Sequence, residues 1–414
     1  MTEYYKQRDN CRLCESKNLK LCFNLEPTPP ANAFVDKQKI SEKQIRFPLE
    51  IYFCEDCFHM QLLDIVDPNI LFENYVYVSG TSPIFVKHFE EYTNYILKKF
   101  PQKVNSLILD IGSNDGTFLR FFKEKNLKIL GIDPAKEICK KANLEGIETL
   151  NNFFNYEFSK YIKQNYGEVG IITANNVFAH VDELKDFIQG AKNLLSEDGI
   201  FVFEVSYVVD VIQKLLFDII YHEHLSYHSV ISLVSFFKEN DMELIEAIHV
   251  DTHGGSLRGI AKLKKGKHKV GKSVEKCVKL EMELGLNKLE TYKEFFERLN
   301  IRKNELQKLF KKLKADNKTI SGFGAPAKAT TFMYQFGIDQ NIIDFIIDDS
   351  PLKQGLFSPG MHIPIYSSKK LYSEKPDYVV ILAWNFAESI MNKHVKYREM
   401  GGHFIVPLPK LEVY

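Results

Sequence analysis

Residues 107–116, Leu-Ile-Leu-Asp-Ile-Gly-Ser-Asn-Asp-Gly, constrain the fold more than any other stretch of this chain. An apolar run ends on Asp110, and a turn with glycines at 112 and 116 follows it. A second apolar run, from Ile129, closes on Asp133. Strand, glycine turn, helix and a strand ended by an acid make half of a nucleotide-binding α/β unit, whose late acid can hold ribose hydroxyls. The turn reads D-x-G-x-N-x-G, without the G-x-G-x-x-G spacing that seats a pyrophosphate on a helix N-terminus.

The alternation continues. Strands are expected at 106–111, 128–133, 147–150, 169–174 and 199–205, with helices between them, and 244–250 with 257–263 read as a hairpin around Thr252-His-Gly-Gly255. Five parallel strands and a terminal antiparallel pair predict a doubly wound, seven-stranded α/β sheet. Residues 267–317 are highly charged, with apolar positions three and four apart, as in a packed amphipathic linker helix.

A second βαβ pattern starts at Thr319, with strands expected at 343–347, 378–382 and 403–406. Its turn reads G-x-G-x-x-A from Gly322 to Ala327, and Asp348 and Asp349 end the next strand. By the same physics this is a second nucleotide site, built on Gly322, Gly324 and Asp348, with Lys328 adding charge beside a diphosphate. The competing reading is a glycine turn that only packs strand on helix.

Four of the seven cysteines fall in two pairs, Cys11-x-x-Cys14 and Cys54-x-x-Cys57. Two such knuckles suit tetrahedral zinc, and four protein thiolates with no open position make a structural site. Cys22, Cys139 and Cys277 read as ordinary apolar positions. Lys plus Arg and Asp plus Glu balance at 54 each, so no bulk charge recruits nucleic acid or anionic membrane. The first residues lack a signal-peptide core, and no run of about 18 apolar residues could span a bilayer. The expectation is a soluble cytoplasmic protein that binds neither nucleic acid nor membrane.

The D-x-G-x-N-x-G turn resembles motif I of the S-adenosylmethionine-dependent methyltransferases, whose cofactor carries no phosphate. Over nearly its whole length the chain is similar to the nucleotide-sugar C-methyltransferases that build branched deoxysugars. Residues 1–75, with both cysteine pairs and the start of the Tyr/Ser segment Tyr75-Val-Tyr77, resemble that family's zinc-binding, substrate-contacting domain. Residues 76–265 resemble its methyltransferase domain through Leu109–Leu119, Ala174-Asn-Asn-Val-Phe-Ala-His180 and Tyr221-His-Glu-His224. After a helical linker at 266–317, residues 318–414 resemble its Rossmann-like sugar-nucleotide-binding domain through Gly322–Ala329 and Ile347–Gly355.

The resemblance implies methyl transfer from S-adenosylmethionine to a ring carbon, C3, of a keto-deoxysugar nucleotide, through an enolate made by a histidine base. Carbon is a poor nucleophile, so a base must first remove a proton made acidic by the keto group, and the enolate oxygen must be stabilised. That base would be His224, with Tyr221 and Glu223 as partners and His222 beside the substrate. In a helical segment Tyr221 and His224 share a face; in an extended one, His222 and His224 do. His180 is a second base candidate.

For the cofactor, Gly112 allows close backbone approach, Asp133 takes the ribose diol, and Asp110 fixes the turn or the methionine amino group. Asn152 and Phe153 sit where an adenine is held, and Asn175 beside the methionyl end. Asn114 replaces the middle glycine of the motif. Tyr75 and Tyr77 are candidates to orient cofactor or sugar, and His253 and Arg258 to reach the sugar or its diphosphate. The implied partner is a nucleotide-diphosphate sugar, and the expected state a monomer, since three modules can enclose the site alone. The alternatives are methylation at sugar oxygen or nitrogen, a nicotinamide-dependent oxidoreductase using the G-x-G-x-x-A module, and a zinc-stabilised scaffold.

Overall fold

The computed structural model describes residues 4–72 and 83–414, so Tyr75 and Tyr77 lie outside the described residues. Its centre is a seven-stranded sheet in the order Thr149–Asn151, Lys128–Asp133, Leu107–Ile111, Val169–Asn175, Leu195–Ser206, Ser256–Leu263, Met242–Val250. Ser256–Leu263 runs antiparallel to both of its neighbours. Every residue of Leu107–Ile111 is buried, as expected of a central parallel strand with helices on both faces. The chain order reverses at this strand, which pairs with Lys128–Asp133 on one side and Val169–Asn175 on the other. The loops after Leu107–Ile111 and Val169–Asn175 therefore leave the sheet in opposite directions, and the crevice between them is where such sheets hold ligands.

The N-terminal sheet has four strands, Leu19–Thr28, Phe47–Cys54, Met60–Leu62 and Ser226–Tyr227. The fourth comes from the end of the Tyr-His-Glu-His segment: Ser226 pairs with Gln61 and Tyr227 with Met60. That segment is thus stitched into the cysteine module rather than confined to the central one.

The C-terminal sheet runs Ile365–Tyr366, Ile346–Ile347, Ile320–Phe323, Tyr378–Ile381, His403–Val406, Glu412–Val413, all parallel except the last. The strand expected at 343–347 is only Ile346–Ile347, which completes the parallel core between two neighbours.

The linker forms helices Lys272–Glu283 and Leu289–Ala315. The second buries Tyr292, Phe295, Leu299, Leu306, Phe310 and Leu313, the three-and-four spacing of the sequence. Phe296 stacks on Phe23 of the N-terminal sheet, with ring centres 5.1 Å apart. Glu281, wholly buried, accepts the Val230 and Ile231 amides at 2.7 and 2.8 Å and so caps helix Val230–Glu239. Among the described residues no helix is long and apolar enough to cross a membrane.

Candidate active site

The two cysteine knuckles converge. The sulfurs of Cys11, Cys14, Cys54 and Cys57 all lie within 4.8 Å of one another, with Cys11 to Cys57 at 3.5 Å and Cys14 to Cys54 at 3.6 Å. Thiolates about 2.3 Å from a tetrahedral zinc stand about 3.8 Å apart, so the donor set fits that ion.

Arg12, inside the first knuckle, is buried and turned toward the central sheet. Its Nε donates to Asp182 Oδ1 at 3.2 Å, and its Nη1 reaches Gln61 Oε1 and the carbonyls of Leu62 and Leu225. Lys6 and Arg8 join it on Asp182, each at 3.0 Å. The metal module is thereby clamped two residues from His180 and one from His224.

In the crevice, Gly112 has φ +71°, and a Cβ built there would lie 2.2 Å from Val177 Cγ2. Only glycine fits this cradle. Gly112→Ala is expected to cost roughly 1–3 kcal/mol of stability and to weaken S-adenosylmethionine binding about tenfold or more, read by calorimetry.

Asp133 holds the turn from the next strand: Oδ2 accepts the Asn114 amide at 3.0 Å, and Oδ1 the Ala135 amide at 2.9 Å. Asn151, which sequence reasoning missed, ties the third strand back to the carbonyls of Asp133 and Pro134. Asn152 and Phe153 follow it and are solvent-exposed, as an adenine contact requires. Asn175, ending the fourth strand, has neither amide atom partnered among the described residues, although both are buried. Such an orphaned amide beside a glycine cradle fits the polar methionyl end of the cofactor.

Asp110 points into the sheet, where Oδ1 accepts Thr173 Oγ1–H at 2.6 Å. It fixes the strand pair rather than lining the crevice. Burial pushes its carboxyl up to about 7. Between about pH 4 and pH 7 the folded protein therefore keeps a proton that the unfolded chain has released, so stability falls as pH rises through that window. We expect a loss on the order of 2–4 kcal/mol from this group, absent in Asp110→Asn. The melting-temperature difference between variant and wild type, without ligand, should grow from pH 5 to pH 8.

Tyr-His-Glu-His forms a tight turn, closed by the His224 amide on the Tyr221 carbonyl at 2.8 Å. The segment is neither helical nor extended, yet the turn brings the Tyr221 and His224 rings, both half-buried, to 4.2 Å. The amides of Leu225 and Ser226 both donate to the Ala179 carbonyl, and this lacing stacks His180 on His224 at 4.9 Å. His224 Nδ1 is 2.7 Å from the Ile219 carbonyl. A carbonyl only accepts, so Nδ1 carries a proton, and in the neutral ring the lone pair lies on Nε2. Burial, reinforced by the nearby His224, holds the His180 imidazole well below its ordinary pKa and so neutral.

His222 does not take the substrate-contact role expected of it. It is buried, within 3.3 Å of the Phe47 carbonyl and 3.2 Å of the Pro48 carbonyl, and burial pushes its pKa down to about 4. It ties the turn to the N-terminal sheet. Glu223 is also buried and accepts Asn32 Nδ2–H at 2.9 Å. Arg258 is engaged elsewhere too: its Nε meets Glu204 Oε1 at 2.6 Å, and its guanidinium lies 3.6 Å over the Tyr92 ring. The His253 side chain lies outside the described residues.

The second glycine turn is satisfied internally. Asp348 Oδ2 accepts the Ala325 amide at 2.6 Å and Oδ1 the Ser350 amide at 2.8 Å, the arrangement seen at Asp133. Gly324, at φ +91°, has no room for a Cβ because Ala383 Cβ would be 2.5 Å away; a Cβ at Gly322 would lie 3.0 Å from Leu382 Cδ1. Lys328 is largely buried, its Nζ shut from solvent, 3.4 Å from Asp218 Oδ2 and 4.7 Å from the Trp384 ring centre. Of the groups expected to cradle a diphosphate, Gly322 and Gly324 serve close strand packing, Asp348 a turn amide, and Lys328 a counter-charge.

Comparison with known proteins completes the picture. A zinc-binding domain family matches residues 11–72, a methyltransferase domain family 86–247, and a C-methyltransferase C-terminal domain family 251–409. C-methyltransferase NovU of Streptomyces niveus is 30% identical over 413 residues, covering 100% of this chain and 98% of its own. This chain belongs to the nucleotide-sugar C-methyltransferase family. Among solved structures, an S-adenosylmethionine-dependent methyltransferase from Clostridium acetobutylicum is 14% identical, covering 44% of this chain and 92% of its own, with a TM-score of 0.35. One from Anabaena variabilis is 14% identical, covering 43% and 94%, with a TM-score of 0.33.

As a member of that family the chain is an S-adenosylmethionine-dependent C-methyltransferase with a zinc-binding N-terminal domain. Besides Asn151, the residues missed by sequence reasoning are Arg12, Asn32 and Asp218. Arg12 alone carried a signal, a charge inside a metal knuckle that needs a partner when buried. Asn32 and Asp218 sit in unremarkable sequence and acquire their roles from distant partners.

Proposed function

We propose that this protein methylates a ring carbon of a keto-deoxysugar nucleotide, with His224 as the general base. The observation that supports this most is the tautomer of His224. Its Nδ1–H is held by the Ile219 carbonyl, and its lone pair therefore stands on Nε2, in a ring flanked by Tyr221 and His180 at the meeting of the three sheets. A neutral imidazole with a fixed lone pair is what removing an α-keto proton near neutral pH requires.

Tyr221, its ring beside the base, supplies a donor for the developing enolate oxygen. Glu223, held by Asn32, keeps the turn in register and favours the imidazolium that forms as His224 takes the proton. His180 is the second basic nitrogen of the pair and orients the first. The Gly112 cradle, the Asn114 amide, Asp133, Asn152, Phe153 and Asn175 hold the cofactor at the adjacent crevice. When bound, S-adenosylmethionine supplies the electrophilic methyl carbon. A 4-keto sugar has two carbons next to the carbonyl, C3 and C5; we assign the reaction to C3. The three sheets come from one chain, so a monomer suffices.

The test is mass spectrometry of a 4-keto-deoxysugar nucleotide incubated with enzyme and S-adenosylmethionine in deuterated water. The expected result is a gain of one methyl, with enzyme-dependent deuterium at C3 of unmethylated substrate. Methyl gain on a sugar lacking the keto group would point instead to transfer at oxygen or nitrogen.

A further inference from the structure

Three modules meet on helix Lys328–Phe336, and the polar side chains of its first turn are all engaged with the other two modules. Thr330 Oγ1 donates to the Ala31 carbonyl at 3.0 Å, and Thr331 Oγ1 to the Ile220 carbonyl at 2.9 Å. Lys328 faces Asp218, wholly buried in the short turn Phe217–Ile219. Asp218 Oδ2 also accepts Trp384 Nε1–H at 2.7 Å, while Oδ1 has no partner among the described residues. The next residue along, Ile219, provides the carbonyl that holds His224 Nδ1. Ala31 in turn precedes Asn32, which holds Glu223.

A buried ion pair is a poor means of gluing two modules, because desolvation cancels much of the attraction. The contact is also glued without it: Phe217 lies flat on Phe336, ring centres 5.2 Å apart and planes 8° from parallel. What a charge pair adds is direction. Asp218 is held from one side only, by Lys328 and Trp384, and that fixes where its backbone turn can sit.

We infer that Lys328 is a positioning residue: through Asp218 it sets the 217–220 turn so that the Ile219 carbonyl stays on His224 Nδ1 and the lone pair stays on Nε2. This rests on the reading of His224 as the base. Without Lys328, Asp218 loses its counter-charge and the turn relaxes toward other donors. The Ile219 carbonyl then leaves Nδ1, and the imidazole is free to rotate or change tautomer among Tyr221, Glu223 and His180. The C-terminal module thus acts on the chemistry from behind the base, with no contact to reacting atoms.

The experiment measures deuterium uptake and methyl transfer on a 4-keto-deoxysugar nucleotide, as a function of pH, for Lys328→Met, Lys328→Arg and Thr331→Val. A misplaced base costs about 10- to 100-fold. Lys328→Met should lose that much in kcat for both readouts and shift the acidic limb of the pH profile, which reports the base, by about half a unit or more, with KM for the sugar nucleotide and S-adenosylmethionine affinity within about threefold. Lys328→Arg should recover most of the loss.

A tenfold or larger rise in KM with kcat and pH limb unchanged would make Lys328 a diphosphate ligand and overturn the inference. So would wild-type behaviour. Should Lys328→Met fail to fold, Thr331→Val, which removes only the bond to the Ile220 carbonyl, must shift the same limb, and an unshifted limb there overturns it. Failure of the base reading shows separately, as deuterium uptake that survives in His224→Asn.

Discussion

His224→Asn is expected to lose both methyl transfer and solvent-deuterium uptake by about 10²- to 10⁴-fold, with the melting temperature and S-adenosylmethionine affinity close to wild type. Asparagine can still donate to the Ile219 carbonyl, so the turn keeps its shape, but it offers no basic nitrogen where Nε2 stands. The partner variant His180→Asn should lose less. His180 is held neutral by burial and by its neighbour, and its ring is stacked on the base. Assays of exchange and transfer on one substrate preparation separate the cases. If exchange persists in His224→Asn and vanishes in His180→Asn, the roles are reversed.

Removing the zinc should be nearly as damaging, at a distance from the chemistry. Structural zinc sites contribute roughly 10–16 kcal/mol in isolated finger peptides. Here Leu49, Ile51 and Phe53 also bury their side chains in the same sheet, so part of it persists. Chelation under mild denaturant, or Cys54→Ser, is expected to lower the melting temperature by about 10 °C or more, several kcal/mol at this size. Turnover should fall with it, because three ties from the metal module hold the catalytic turn: strand Ser226–Tyr227, Arg12 on Asp182, and His222 on the Phe47 and Pro48 carbonyls. Zinc content, melting and turnover measured on one sample decide it. A zinc-free protein that melts and turns over like the holoprotein would show the metal to be dispensable.

Much of the fold is legible in the sequence because its signals are local. Strands 107–111 and 128–133 follow apolar runs bounded by a glycine turn, and the linker's three-and-four spacing reappears as its buried face. The cysteine pairs meet as their short spacing predicts, since each knuckle is closed by its own turn. Tyr221 and His224 come together for the same reason, being three residues apart in a tight turn.

Several strands escaped that reading, Leu19–Thr28 and Glu412–Val413 among them. Ser226–Tyr227 and Ile365–Tyr366 have two residues each, too few to show a period, and exist only because a neighbour supplies the ladder.

The acids that end Lys128–Asp133 and Ile346–Ile347 look alike in sequence and bond alike, each taking one glycine-turn amide and one amide two residues on. What separates the two crevices lies beyond the motif: beside one, the Asn175 amide has no partner among the described residues, while Asp218 has claimed the lysine of the other.

The sequence by itself thus determined the α/β architecture, the metal donors and the meeting of Tyr221 with His224, all encoded by neighbours in the chain. Only the tertiary structure decided what His222, Lys328 and Arg12 do. A buried polar group must find a partner, and those partners, the Phe47 carbonyl, Asp218 and Asp182, lie more than a hundred residues away in the chain.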